Sequence, residues 1–327
     1  MSRATFAFLV LTIASVVACG GGAPATSAPP SSAMPPSGTP SPASSPTFAP
    51  STAATPVQLA ADIDVGGRTL HLFCMGTAPA GQPTVLGESG LTGDSRTWNN
   101  IFYAVAERTR VCAYDRAGLN LSQPAPESSR TLQDQVDDLQ ALITEAELTG
   151  PIVFAAHSSG AWIVSLYASQ HPEDIVGVVL VDPRGSHVSA EWLAALPPKA
   201  AGEPAAVAAN RDELTTFDSN PALNDEHLHL TKAMEQVNEV LDPETPLFGD
   251  RPLIVLQAGL TPNSWSDLPA EIRVMFDRIW HDGQTAFLAE STKSSAVAVD
   301  DSDHEMPEMR PDAVVDALFE VLDQVGS

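Results

Sequence analysis

The apolar positions of this chain fall into two patterns. Short unbroken runs occur at "PTVLGE" (83–88), "PIVFAA" (151–156), "IVGVVLVD" (175–182) and "RPLIVLQAG" (251–259). Runs of that kind suit strands buried on both faces of a parallel sheet. "RTLHLFCMG" (68–76), "TRVCAYD" (109–115) and "SSAVAVD" (294–300) are predicted as further strands. Between them apolar residues recur at helical spacing, most clearly Leu132, Val136, Leu139, Leu142 and Ile143 within 130–148. Helices are also predicted over 97–108, 161–170 and 311–325. Strand and helix alternate from 57 to 327, which predicts one α/β domain: a mostly parallel sheet with helices on both faces. The stretch from about 184 to 249 breaks the rhythm. It is rich in Ala, Pro and acidic residues, has a helical piece at 226–241, and is predicted to be a helical cap inserted after the sixth strand.

The N-terminus follows neither pattern. One basic residue, Arg3, precedes a short apolar run from Phe6 to Val17. A spanning helix needs ~20 apolar residues, so the run is predicted to be an export signal over 1–18. "VVAC" (16–19) looks like a bacterial lipobox, whose cleavage leaves Cys19 as a lipidated N-terminus. Residues 19–56 are dominated by Ser, Pro, Ala, Thr and Gly and are predicted to be an extended linker. The folded part is thereby expected outside the cytoplasm, held at a membrane through the lipid alone. Charge narrows the partners further. With 41 acidic against 16 basic residues the formal charge is −25, so nucleic acid is excluded as a partner by repulsion.

Candidate chemistry sits where the run 151–156 stops at "HSSG" (157–160). A strand, a sharp turn and a helix would expose a serine at the tip, provided the residues two before and two after are small. Ser158 has Ala156 and Gly160 in those places, whereas Ser159 has His157 and Ala161. Ser158 is therefore the candidate nucleophile, and the Ser159 backbone N–H, at a helix N-terminus, a candidate oxyanion donor. Leu91, in the glycine-bearing loop "LGESGLTGDSRTW" (86–98), is the candidate second donor. "HLH" (227–229) lacks a third ligand at recognisable spacing, so no metal is expected.

The order of "PTVLGESGLTGDSRTW", "TRVCAYDRAG", "AAHSSG", "VVLVDP" and "DSDHEM" resembles the α/β-hydrolase family, in its lipase/esterase and haloperoxidase-like branch. The resemblance covers essentially all of 57–327, the cap in position only. Two departures stand out: Ala156 replaces the first glycine of G-x-S-x-G, and Ser89-Gly90 stands where many members have His-Gly. The family's chain order of serine, acid and histidine implies His304, in the loop before the last helix, as the base. It excludes His157, which neighbours the tip and would have to fold back onto it. For the acid it implies Asp182, after the sixth strand, with Asp267 as alternate and Asp303 as loop surface. Asp115 and Arg116 fall in a loop that is more often structural, and Trp98 and Trp162 in the core or pocket wall. The strands of Cys74 and Cys112 are sheet neighbours in the family, which implies a disulfide between them. The activity implied is hydrolysis of small-molecule carboxylic esters through a Ser-His-Asp triad, with no cofactor. Alternatives on the same scaffold are a silent ligand-binding lipoprotein, a C–C or amide hydrolase, or a perhydrolase.

Overall fold

Eight strands make one sheet in the computed structural model, which describes residues 58–326 except 149, 243 and 261–264. The predicted signal over 1–18, Cys19 and the whole predicted linker over 19–56 lie outside the described residues. In chain order the strands are β1 (Gln58–Asp64), β2 (Thr69–Met75), β3 (Thr84–Glu88), β4 (Val111–Tyr114), β5 (Ile152–His157), β6 (Ile175–Val181), β7 (Pro252–Ala258) and β8 (Lys293–Val299). Across the sheet they run β1-β2-β4-β3-β5-β6-β7-β8. β2 is antiparallel to both neighbours and the rest pair in parallel. Cys74 and Cys112 face each other across the β2–β4 pair and are joined as a disulfide.

The period-two alternation of the central strands builds two cores, one on each face of the sheet. Phe154, Val178 and Leu180 point to one face and pack with α2 (Leu132–Glu145) and α3 (Gly160–Gln170). Val153, Ala155, Val179 and Val181 point to the other and pack with α1 (Phe102–Ala106) and the last helix, Pro311–Val325. Each large apolar side chain fully buried this way contributes roughly 1.5–3 kcal/mol. The start of α2 is fixed locally: Thr131 and Asp134 form a reciprocal capping box.

Between β6 and β7 come α4 (Val188–Ala195), α5 (Ala205–Asp212) and α6 (Leu230–Asn238). Then α7 (Ala270–Ala286) precedes β8, and α8 (Met306–Met309) and α9 (Pro311–Val325) follow it. Trp192 of α4, Trp265, and Phe276 and Trp280 of α7 form a third apolar cluster with Val188 and Ile272. Among the described residues no helix is long and apolar enough to cross a membrane.

Two elements lie outside the predicted pattern, and two expectations are revised. β1 carries no buried run because it is an edge strand, exposed along most of its length. α7 stands between β7 and β8, where the sequence pattern assigns no element. The helix expected over 97–108 is a 3-10 turn, Ser95–Trp98, followed by the five-residue α1. Trp98 is buried under Gly87, where a Cβ would lie 2.6 Å from the indole, and Asn99 and Asn100 are weak helix formers. Finally, 226–229 is a turn followed by an irregular stretch rather than helix, with His227 at φ of +53°. Its backbone bonds to Arg130 instead, with Arg130 N–H donating to the His227 carbonyl and His229 N–H to that of Arg130.

Candidate active site

β5 ends at His157, and Ser158 turns the chain into α3 with φ of +53°. That left-handed backbone is unfavourable for any residue with a Cβ, and the neighbourhood enforces it. The Ser158 N–H donates to the Val181 carbonyl at 3.1 Å, and the Ser158 carbonyl accepts from Arg184 N–H at 3.0 Å. Packing explains the small residues. A Cβ on Gly160 would lie 2.5 Å from the Glu88 carbonyl oxygen, and one on Gly90 would lie 2.9 Å from Ser158 Cβ. Ala156, at the position of the usual glycine, is fully buried within β5.

Asp182 follows β6 directly, also with positive φ, and its carboxylate is 1% exposed. Four donors converge on it. Oδ1 accepts from Ala258 N–H at 3.0 Å and Gln284 Nε2 at 2.6 Å; Oδ2 accepts from Trp280 Nε1 at 3.1 Å and His304 Nδ1 at 2.7 Å. Burial pushes the Asp182 carboxyl up, but His304, the Ala258 amide and Gln284 more than offset it and hold it below its ordinary value. With Nδ1–H given to the carboxylate, the other ring nitrogen of His304 is left as an acceptor. The His304 ring is 26% exposed. Asp267 is exposed, and the Nδ1 it would have to meet is occupied by Asp182. Asp303 accepts from Glu305 N–H within its own loop.

His157 has a place that its sequence position does not suggest. Its Nε2–H donates to the His304 carbonyl at 2.8 Å, and the two rings lie 4.6 Å apart. Burial, then the nearby His304, lowers its pKa from 6.5 to about 3, so it holds the His304 loop as a neutral imidazole.

Leu91 and Ser159 border one narrow hollow with Trp162. Among the described residues neither of their backbone N–H groups has an acceptor. The loop that carries Leu91 is fixed from behind by Arg116. Its Nη1 donates to Glu88 Oε1 at 2.6 Å and to the Ser89 carbonyl at 2.7 Å, and its Nη2 to the Gly90 carbonyl. Glu226, from the inserted segment, takes Arg116 Nε at 2.6 Å and Thr92 N–H at 2.7 Å. Burial opposes the Arg116 charge, yet Glu226 and Glu88 raise its pKa above the ordinary value. Arg116 thus supports the candidate oxyanion loop directly, which is more than a turn residue does. Asp115 has the ordinary part: it accepts from Ser95 N–H and from Asn120 and Leu121 in its turn. Trp98 Nε1 donates to Ser89 Oγ, and Trp162 Nε1 to the Arg184 carbonyl. His227 bonds the Glu127 carbonyl, and among the described residues no group of His, Cys, Asp or Glu is arranged to hold a metal.

Gln284, Trp280 and Glu226 are the supporting residues that sequence reasoning missed. The apolar spacing of Ile272, Phe276, Ile279 and Trp280 would have revealed the helix that carries the first two. No local signal marks Glu226, which lies 110 positions from Arg116.

Known proteins agree with this architecture. The chain is 24% identical to the uncharacterized protein YqjL of Bacillus subtilis over 239 residues, 73% of this chain and 83% of that one. It is 31% identical to an sn-1-specific diacylglycerol lipase of Mus musculus over 122 residues, 35% of this chain and 38% of the relative. Among solved structures it resembles a thermophilic esterase from Thermogutta terrifontis, with TM-score 0.54 and 19% identity over 83% of this chain and 100% of the other. It likewise resembles the enol-lactonase from Burkholderia xenovorans, with TM-score 0.54 and 17% identity over 81% of this chain and 100% of the other. At such identities the structures speak to the fold alone. The alpha/beta hydrolase family model matches residues 85–317, from β3 through the Ser158 turn and the His304 loop into α9, and the chain is accordingly a hydrolase belonging to the alpha/beta hydrolase family.

Proposed function

We propose that this hydrolase cleaves carboxylic esters through an acyl-enzyme, with Ser158 as nucleophile, His304 as general base and acid, and Asp182 as the group that orients His304. The observation that carries the reading is the 2.7 Å contact of His304 Nδ1 with the buried Asp182 carboxylate, beside the left-handed Ser158 turn. His304 Nε2 takes the Ser158 hydroxyl proton as Oγ attacks the ester carbonyl carbon. The Leu91 and Ser159 amides receive the developing oxyanion, each contributing ~10²–10³ in rate. Collapse breaks the C–O bond, and the leaving alcohol takes the proton from His304. Water then attacks the acyl-enzyme, gives a proton to the same nitrogen, and releases the acid and Ser158. Relatives and neighbours named esterase, diacylglycerol lipase and enol-lactonase favour small-molecule esters as the substrate class.

The same reading places the enzyme outside the cytoplasm, with lipid on Cys19, a linker over 19–56 and the hydrolase domain over 57–327 capped by about 184–249. It is supported by the lipobox-like "VVAC" and by the Cys74–Cys112 bond, since disulfides are rare where glutathione keeps thiols reduced.

Turnover of p-nitrophenyl butyrate tests the mechanism. Ser158→Ala is expected to lower kcat about 10⁴–10⁶-fold with the fold intact by circular dichroism. Retained turnover overturns the nucleophile.

A further inference from the structure

A cavity of about 290 Å³ opens beside the candidate oxyanion loop, bordered by Leu91, Arg184, Trp192, Asn210, Asp218 and Trp265. It belongs to the nucleophile's surroundings by backbone connection, because Arg184 N–H donates to the Ser158 carbonyl. Beside apolar side chains such as Phe217 and Leu230, the cavity holds one cation, Arg184, and two carboxylates, Glu213 and Asp218, and among the described residues Arg184 pairs with neither.

Arg184 lies with its guanidinium carbon 5.8 Å from the centre of the Trp162 ring and 5.5 Å from that of Trp192. Its Nη2 donates to Ser189 Oγ at 2.6 Å, while its buried Nε has no partner among the described residues. Among those residues it also forms no ion pair. Burial lowers its pKa, with Asp218 and Glu213 opposing the fall from a distance. Asp218 is 5% exposed, and its Oδ2 is buried with no hydrogen-bond partner among the described residues. A buried charged group left unsatisfied is costly. Nε and Oδ2 are themselves out of reach of the cavity, but Arg184 Nη1 and Asp218 Oδ1, on the same two lining side chains, also have no hydrogen-bond partner among the described residues, and a ligand that gives an acceptor to Arg184 and a donor to Asp218 would satisfy them. A substrate carboxylate would face Asp218 and Glu213, and an ammonium would face Arg184. A hydroxyl meets both needs, because it accepts and donates at once.

We infer that Arg184 and Asp218 form a polar subsite that selects esters carrying free hydroxyl groups next to the scissile bond, with glycerol and other polyol esters as the substrate class. The inference rests on the ester-hydrolase reading and adds the identity of the substrate's polar part. It places Arg184 and Asp218 as specificity residues rather than as members of the Ser158 machinery.

The test compares glycerol monobutyrate with propyl butyrate, which has the same acyl group and carbon chain without the two hydroxyls. The expected ratio of kcat/KM, polyol ester over propyl ester, exceeds about ten in the wild type. It is expected to fall at least about fivefold in Asp218→Ala and in Arg184→Met. In the wild type, glycerol should compete with p-nitrophenyl butyrate while 1-propanol at equal concentration does not, a readout that holds even where a variant fails to fold. A wild-type ratio near one, with both esters turned over, overturns the subsite and leaves the Ser158 mechanism standing. A high ratio that neither substitution lowers also overturns it. Absence of turnover of every ester together with no fluorophosphonate labelling overturns the ester-hydrolase reading, and the subsite with it.

Discussion

Two buried carboxylate clusters are built around the Ser158 turn and the candidate oxyanion loop, and they differ in what they leave open. Around Arg116, the side chains of Glu88 and Glu226 are 0% exposed and that of Arg116 is 5% exposed. Tyr114, Gln135 and the Thr92 amide supply further donors to the two carboxylates. Around Asp182 an equally buried carboxylate also gathers four donors, but one of them is a histidine whose ring reaches solvent. Both arrangements solve the same problem, since a carboxylate without water needs its lone pairs filled. The closed cluster yields rigidity for the loop 89–92. The open one presents a nitrogen that can exchange a proton.

Breaking each cluster should therefore fail differently. The largest effect is expected from Asp182→Asn, which keeps the shape but withdraws the group that fixes the His304 tautomer. On the proposed mechanism kcat drops about 10⁴-fold, roughly 5 kcal/mol of barrier, in steady-state assays of a folded protein. Arg116→Met is expected to act on stability instead, because it leaves Glu88 and Glu226 buried and unpaired. A loss of about 3–5 kcal/mol in urea unfolding is predicted; a loss under about 1 kcal/mol would show the closed cluster to be no structural support.

The smallest effect concerns His157, which links the Ser158 turn to the His304 loop. Its folded pKa of about 3 lies below the ordinary 6.5, so the unfolded chain takes up the proton first as pH falls. The stability that neutral His157 contributes is complete above pH 6.5 and is lost progressively between 6.5 and 3. By pH 4.5 the wild type is expected to lose roughly 2–3 kcal/mol on this account. His157→Gln keeps a donor for the His304 carbonyl without the titration and should flatten that decline. An unchanged pH slope in the variant contradicts the assigned role.

These contrasts also explain what was legible in the sequence. β3, β5, β6 and β7 are read directly because burial on both faces leaves unbroken apolar runs, and α9 because its apolar positions keep one face. β1 escaped because an exposed edge strand requires no such run. The tip at Ser158 is legible because close packing forces small neighbours, as Gly160 against the Glu88 carbonyl shows. The choice between Asp182 and Asp267 stays open in the sequence for a definite reason. The groups that stabilise Asp182, Trp280 and Gln284, lie about a hundred positions away on α7, which the strand-by-strand reading passed over. The closed cluster is still less legible, since Glu226 reaches Arg116 from 110 positions away, at the start of a stretch of the inserted segment that the apolar pattern reads only as helix.

The central claim is that Ser158, and not its neighbour Ser159, is the nucleophile served by His304. Peptide mapping by mass spectrometry after labelling with a fluorophosphonate tests it most directly. The account predicts a single adduct on the Ser158 hydroxyl in the wild type and none in His304→Ala over the same interval. An adduct on Ser159, or labelling of Ser158 undiminished in His304→Ala, would contradict it.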